Sequence, residues 1–167
     1  MLKILTILLV TFTLHNVNAE TLVIDAKPGR FDISTIGESA DMVKISTSIK
    51  LKAIDDSFYW PAAAYVGFFE GPDRGESFQF VYFRNNGGRK PFLIASYRVI
   101  EGKREKFRNE LAKYPLNASI NVNLIFNKGV ITILLDDQKP ITVKTRLTMV
   151  TPYVSVSSGI AEFKLNE

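Results

Sequence analysis

The chain has 167 residues, of which 46% are hydrophobic, 23% charged and 11% aromatic; Lys and Arg number 21 against 17 Asp and Glu, with one histidine, no cysteine and a formal net charge of +4. That charge is too mild to imply a nucleic-acid partner by itself. Without cysteine, thiolate metal sites and Cys-His nucleophiles are excluded, and no disulfide contributes to stability.

The first nineteen residues differ in chemistry from the rest. Lys3 is followed by an apolar stretch from Ile4 to Leu14 and by the small-residue ending Val17-Asn18-Ala19. This pattern predicts a secretory signal peptide over residues 1–19, too short to span a bilayer at ~20 apolar residues. Cleavage after Ala19 would leave one domain over 20–167, secreted or periplasmic, with no membrane insertion of its own. It would also remove Lys3, lowering the net charge by one, and His15, the only histidine. Ser-His chemistry and imidazole metal ligation leave with it, so an enzyme here would rely on carboxylates, Tyr, Lys or Arg.

After the leader the dominant period is two. In VKISTSIKLKA, Val43, Ile45, Thr47, Ile49, Leu51 and Ala53 share one face, while lysines and serines occupy the other. This predicts a half-buried strand whose lysines also guard a sheet edge. YVGFFEG, ESFQFVYFRNN and KPFLIASYRVIEG are three further strands separated by Gly- and Pro-containing loops. KREKFRNELAKY is the one helical contender, with Phe107, Leu111 and Tyr114 on a shared face; a strand or a loop fits it equally. SINVNLIFN and VITILLDD form a hairpin about Asn127-Lys128-Gly129, and a turn at Asp136-Asp137-Gln138 leads to PITVKTRLTM, with Ile141, Val143, Leu147 and Met149 facing one way. The chain closes with Val154 and Val156, a turn at Ser157-Ser158-Gly159, and Ala161, Phe163 and Leu165 in alternation.

Short strands without a long helix predict an all-β fold, an antiparallel two-sheet β-sandwich or barrel. The order of the pieces, from the long polar-faced strand through YVGFFEG to INVNLIFNKGVITILLDDQKPITV and YVSVSSGIAEFKL, resembles the concanavalin A-like lectin/glucanase superfamily over roughly Asp41 to Leu165. The resemblance implies a jelly roll whose concave face is a carbohydrate groove. Its enzymes set the comparison for catalysis. The E-x-D-x-E strand of laminarinase-like hydrolases is absent, and Glu70, Asp73 and Glu76 in EGPDRGE stand on a loop rather than on one strand face. Arg108-Asn109-Glu110-Leu111 is similar to the R-x-E-L strand of jelly-roll alginate lyases, but the Gln-x-His and Tyr-x-Lys-x-Gly elements of those enzymes are missing. No catalytic residue is assigned. Asp55-Asp56 and Asp136-Asp137 could supply oxygens to calcium, but a dense ligand loop is lacking, so no metal and no cofactor is assigned either.

Sugars stack their C–H faces on aromatic rings and need planar hydrogen-bonding partners for their hydroxyls. The stretch DSFYWPAAAYVGFFEG and the strands after it offer Tyr59, Trp60, Tyr65, Tyr82, Arg84, Asn85, Tyr97 and Arg98 as ligand-binding candidates. Phe68, Phe69, Phe78, Phe80 and Phe83 are assigned to the core. Three functions fit: a lectin-like carbohydrate-binding domain without turnover, a divergent polysaccharide-degrading enzyme of the same fold, and a structural or protein-interaction domain of the cell envelope. Nine basic residues against three acids between Arg84 and Lys113 favour an anionic over a neutral polysaccharide.

Overall fold

A computed structural model describes residues 20–54, 61–85 and 91–166. The signal-peptide assignment, Tyr59 and Trp60 therefore fall outside the described residues. Ten antiparallel strands account for the described fold: β1 (Glu20–Thr35), β2 (Met42–Ile54), β3 (Ala63–Glu70), β4 (Glu76–Asn85), β5 (Phe92–Glu101), β6 (Arg104–Tyr114), β7 (Ser119–Asn127), β8 (Val130–Leu135), β9 (Ile141–Lys144) and β10 (Thr151–Asn166). They are hydrogen-bonded in the order β6-β5-β4-β3-β10-β2-β7-β8-β9, with β1 along the other edge of β10.

β10 turns this single ladder into a sandwich. Thr151–Ser157 pairs with β3, whereas Gly159–Asn166 pairs with β2. Between the two halves, Ser158 and Gly159 take positive φ angles of 48° and 156°, and the buried positions switch from Val154 and Val156 to Ala161 and Phe163. A strict pleat would have sent Ala161 and Phe163 outward, so the irregularity is what carries the core from one sheet to the next. β1 follows the bend with a register shift between Ala26 and Phe31, tied across by the Gly29 N–H donating to Ser158 Oγ at 2.9 Å. The turn expected at Ser157-Ser158-Gly159 is thus a bend within one long strand.

Between the sheets lie Phe68, Phe78, Phe80, Tyr82, Leu93, Ile120, Leu124, Phe126, Ile131, Ile133 and Phe163, all fully buried. Phe68 of β3 meets Phe126 of β7 with ring centroids 5.8 Å apart, a direct contact across the sandwich. The β7–β8 hairpin turns at Lys128 and Gly129 with φ of 44° and 84°, as its sequence requires.

Two expectations change, and two segments without a single prediction are resolved. KREKFRNELAKY, open between helix, strand and loop, is strand from Arg104 onward: the first seven residues of β6, Arg104–Glu110, are exposed, and charge suits its edge position better than a packed helix face. β2 is an inner strand between β10 and β7, so its lysines face solvent without guarding an edge. Met149 is 48% exposed and turned away from Leu147 and Val143 because the chain leaves β9 after Lys144. β1, which carried no prediction, is a strand.

Candidate functional site

The outward face of the β3–β4–β5–β6 sheet is built in rows. One row runs Ser155, Tyr65, Val81, Ser96, Glu110; the next runs Tyr153, Gly67, Gln79, Arg98, Arg108; on the other side lies Ser157, Ala63, Phe83, Ile94. These side chains shelter one another: Ser155 is 0% exposed, Ser96 1%, Ser157 2% and Val81 6%. On the other sheet the outward Lys44, Lys50, Asn121 and Asn127 are exposed. Burial of outward residues on one sheet alone is what curvature toward that face produces. The buried hydroxyls of Ser96 and Ser155 have no hydrogen-bond partner among the described residues, uncommon for polar groups at such depth.

A hollow of about 200 Å³ opens here, lined by Pro61, Ala63, Tyr65, Val81, Phe83, Arg98, Arg108 and Ser157. It is smaller than the ~300–1,000 Å³ of pockets that engulf a drug-sized ligand, and suits one ring lying on a platform. Arg98 stacks on Tyr65, its guanidinium carbon 5.5 Å from the ring centroid. Phe31 of β1 packs edge-on against the same ring at 5.4 Å and is itself 44% exposed. The Tyr65 hydroxyl lies 3.5 Å from Ser157 Oγ.

Arg98 is positioned by two further contacts. Its Nε donates to Gln79 Oε1 at 2.6 Å and its Nη1 to Glu105 Oε2 at 3.3 Å. Arg108 Nη2 donates to the same carboxylate oxygen at 2.8 Å. Burial raises the Glu105 pKa, but the hydrogen bond and charge of Arg108, reinforced by Arg98, outweigh it and hold the carboxyl below its ordinary value. Tyr153 lies in the same row as Gln79, across Gly67, and its phenol is pushed far upward by burial. Gly67 is required between them: a Cβ there would stand 2.1 Å from the Phe78 carbonyl oxygen.

Among the sequence candidates, Tyr65 and Arg98 meet in this hollow. Tyr82 and Tyr97 do not, because the pleat turns them into the core. Tyr82 is 0% exposed and donates to the Ala118 carbonyl at 3.1 Å. Tyr97 is 8% exposed, stacks on Phe78 at 5.8 Å and accepts from Asn109 Nδ2 at 2.8 Å. Arg84 and Asn85 close β4, beyond the hollow's lining, with the Arg84 N–H donating to the Ala62 carbonyl at 3.0 Å. Phe83, assigned to the core, lines the hollow instead, and Phe69, although buried, belongs to the outward face.

Glu70, Asp73 and Glu76 do not share a partner. Glu70 accepts from Thr148 Oγ1 and N at 2.6 and 3.0 Å, Asp73 pairs with Lys103 at 3.4 Å, and Glu76 accepts from the Gly102 N–H at 2.7 Å. No group of three or more His, Cys, Asp or Glu placed to hold a metal occurs among the described residues.

In sequence the chain matches no protein-family model and no curated protein. In three dimensions it superposes on a carbohydrate-binding module from Bacillus subtilis with a TM-score of 0.60 at 13% identity, covering 90% of this chain and 91% of that one. The fold is a concanavalin A-like jelly roll. A functionally unknown protein from Saccharomyces cerevisiae matches with a TM-score of 0.57 at 11% identity, covering 88% and 85% of the two chains. An alginate lyase from Zobellia galactanivorans matches with a TM-score of 0.54 at 8% identity over 78% of this jelly roll and 64% of the lyase.

Proposed function

We propose that this jelly roll is an exported, lectin-like carbohydrate-binding domain that holds a glycan against Tyr65, Arg98 and Ser157 without turning it over. The observation that carries the reading is the Tyr65–Arg98 stack at the bottom of an outward hollow. It joins an aromatic face for sugar C–H groups to planar donors for sugar hydroxyls. Phe83 adds an apolar wall, Phe31 supports the Tyr65 ring edge-on, and Arg108 adds a second guanidinium. The superposition on a carbohydrate-binding module supports the same reading, and the leader-like first nineteen residues support export.

Binding is favoured over hydrolysis by the chemistry of the lining. A glycosidase sets two carboxyl groups about 5–9.5 Å apart across the scissile bond. None of the eight lining residues is a carboxylate, and the nearby Glu105 is engaged by two arginines.

The test is titration calorimetry of the protein against a panel of neutral and acidic polysaccharides, with reducing-end release assayed in parallel. Saturable heat without product, lost in Tyr65→Ala, is the expected result. Product release would establish an enzyme, and silence across the panel would favour the protein-interaction alternative.

A further inference from the structure

Tyr65 and Phe69 stand four residues apart on the same outward face of β3, so their Cα atoms are ~13 Å apart at ~3.3 Å per residue. Each carries an arginine. Arg98 lies over Tyr65 at 5.5 Å, and Arg74, from the β3–β4 turn, lies over Phe69 at 5.0 Å. A guanidinium over a ring can still hydrogen-bond in its own plane; Arg98 commits one N–H to Gln79 and one to Glu105, and its remaining N–H groups can meet an oxyanion. Arg108 stands beside Arg98 in the next strand.

The acids nearby are bound to groups other than these arginines. Asp73 is adjacent to Arg74 in sequence but pairs with Lys103, while Glu70 and Glu76 keep their charge and are held at the strand ends by Thr148 and the Gly102 N–H. Glu105 alone is divided between Arg98 and Arg108. Three guanidinium groups therefore share this face with two carboxylates, Glu105 and Glu110, the second of which pairs with Lys113 at 3.4 Å, and with two aromatic rings.

Building on the carbohydrate-binding reading, we propose that the ligand is an anionic glycan lying along β3, with one acidic group at Arg98 and another at Arg74. The spacing exceeds one sugar ring, so the site reads a polymer rather than a chain end. Carboxylate and sulfate groups share the chemistry that guanidinium recognises.

Calorimetry with polygalacturonate, the same polymer fully methyl-esterified, and a sulfated galactan tests this. Methyl esterification removes the charge and keeps the backbone. The expected result is binding to one or both acidic polymers, at least tenfold weaker binding to the ester, and weakening of several-fold or more in each of Arg74→Gln and Arg98→Gln. Arg74 is exposed on a turn, so its variant separates recognition from folding. Lys44→Gln combined with Lys144→Gln, on the opposite sheet, should leave affinity unchanged. Preference between polygalacturonate and the galactan assigns carboxylate or sulfate.

Equal binding of the ester, or equal weakening by the lysine pair, would overturn the inference. Binding of a neutral glycan that Tyr65→Ala abolishes but Arg74→Gln does not would overturn it while leaving the carbohydrate-binding reading intact. Absence of binding to every glycan would overturn both.

Discussion

Tyr65 and Arg98 come from strands separated by β4, yet the guanidinium of one lies 5.5 Å from the ring centre of the other, on the outward face of the sheet. The pair links the fold to the proposed site. Tyr65 is where it is because alternation buries Ala64 and Val66, and Arg98 because alternation buries Tyr97 and Val99. The same pleat that fills the core assembles the platform.

Removing the platform ring should separate binding from stability. Tyr65→Ala is expected to weaken glycan affinity tenfold or more, about 1.4 kcal/mol, through loss of stacking and of the surface that holds Arg98 flat. Tyr65→Phe keeps the ring and gives up only a long contact to Ser157, so its affinity should stay close to that of the parent. Calorimetry on both variants checks the pair of outcomes.

Tyr82→Phe gives the complementary result. Its hydroxyl donates to the Ala118 carbonyl from within the core. Losing that hydrogen bond should cost about 1 kcal/mol of unfolding free energy, and glycan affinity should not change. Denaturant unfolding and a binding titration on the same preparation test both halves.

Gly67→Ala places a methyl carbon 2.1 Å from the Phe78 carbonyl oxygen, and the obstacle is backbone that cannot swing aside. Strands β3 and β4 must separate locally, at an expected cost of about 3 kcal/mol. Gln79, which orients Arg98, sits directly opposite Gly67, so affinity should fall together with the melting temperature.

Acid stability has a specific contributor in Glu70. The hydrogen bond from the Thr148 side chain, the largest influence, lowers its pKa below 4.5, and burial opposes this without reversing it. A folded pKa below the unfolded value gives stability that is present above pH 4.5 and is lost as pH falls through the folded value. Glu70→Gln should therefore melt below the parent near neutral pH, and the gap should close under acid conditions. Melting curves from pH 7 down to pH 3 report it.

Most of the architecture is legible in the sequence because period two over Val43–Leu51, Ser119–Asn127 and Ala161–Leu165 admits only a half-buried strand. β1 is harder to read: ETLVIDAKPGRFDIST breaks its alternation at the bulge opposite Ser158 and carries a proline. KREKFRNELAKY has no buried face over its first turns, so neither period stands out. The site is half legible. Of the ligand candidates, Tyr65 and Arg98 reach the hollow, but Tyr82 and Tyr97 read alike in the sequence until core packing decides which parity of β4 and β5 points inward. Arg108 is reached in the sequence through its likeness to a lyase strand, whereas Phe31, Gln79 and Ser157 enter the site through strand pairing across 70 or more residues in two of the three cases, which local pattern does not reveal.

The most direct test of the proposed carbohydrate-binding groove is to map backbone amide chemical-shift changes as the protein is titrated with the tightest-binding polysaccharide fragment. The account predicts that the largest changes gather at Ala63–Gly67, Gln79–Phe83, Ser96–Arg98 and Ser155–Ser157. Changes centred on Lys44–Lys50 and Asn121–Asn127, on the opposite sheet, would contradict it.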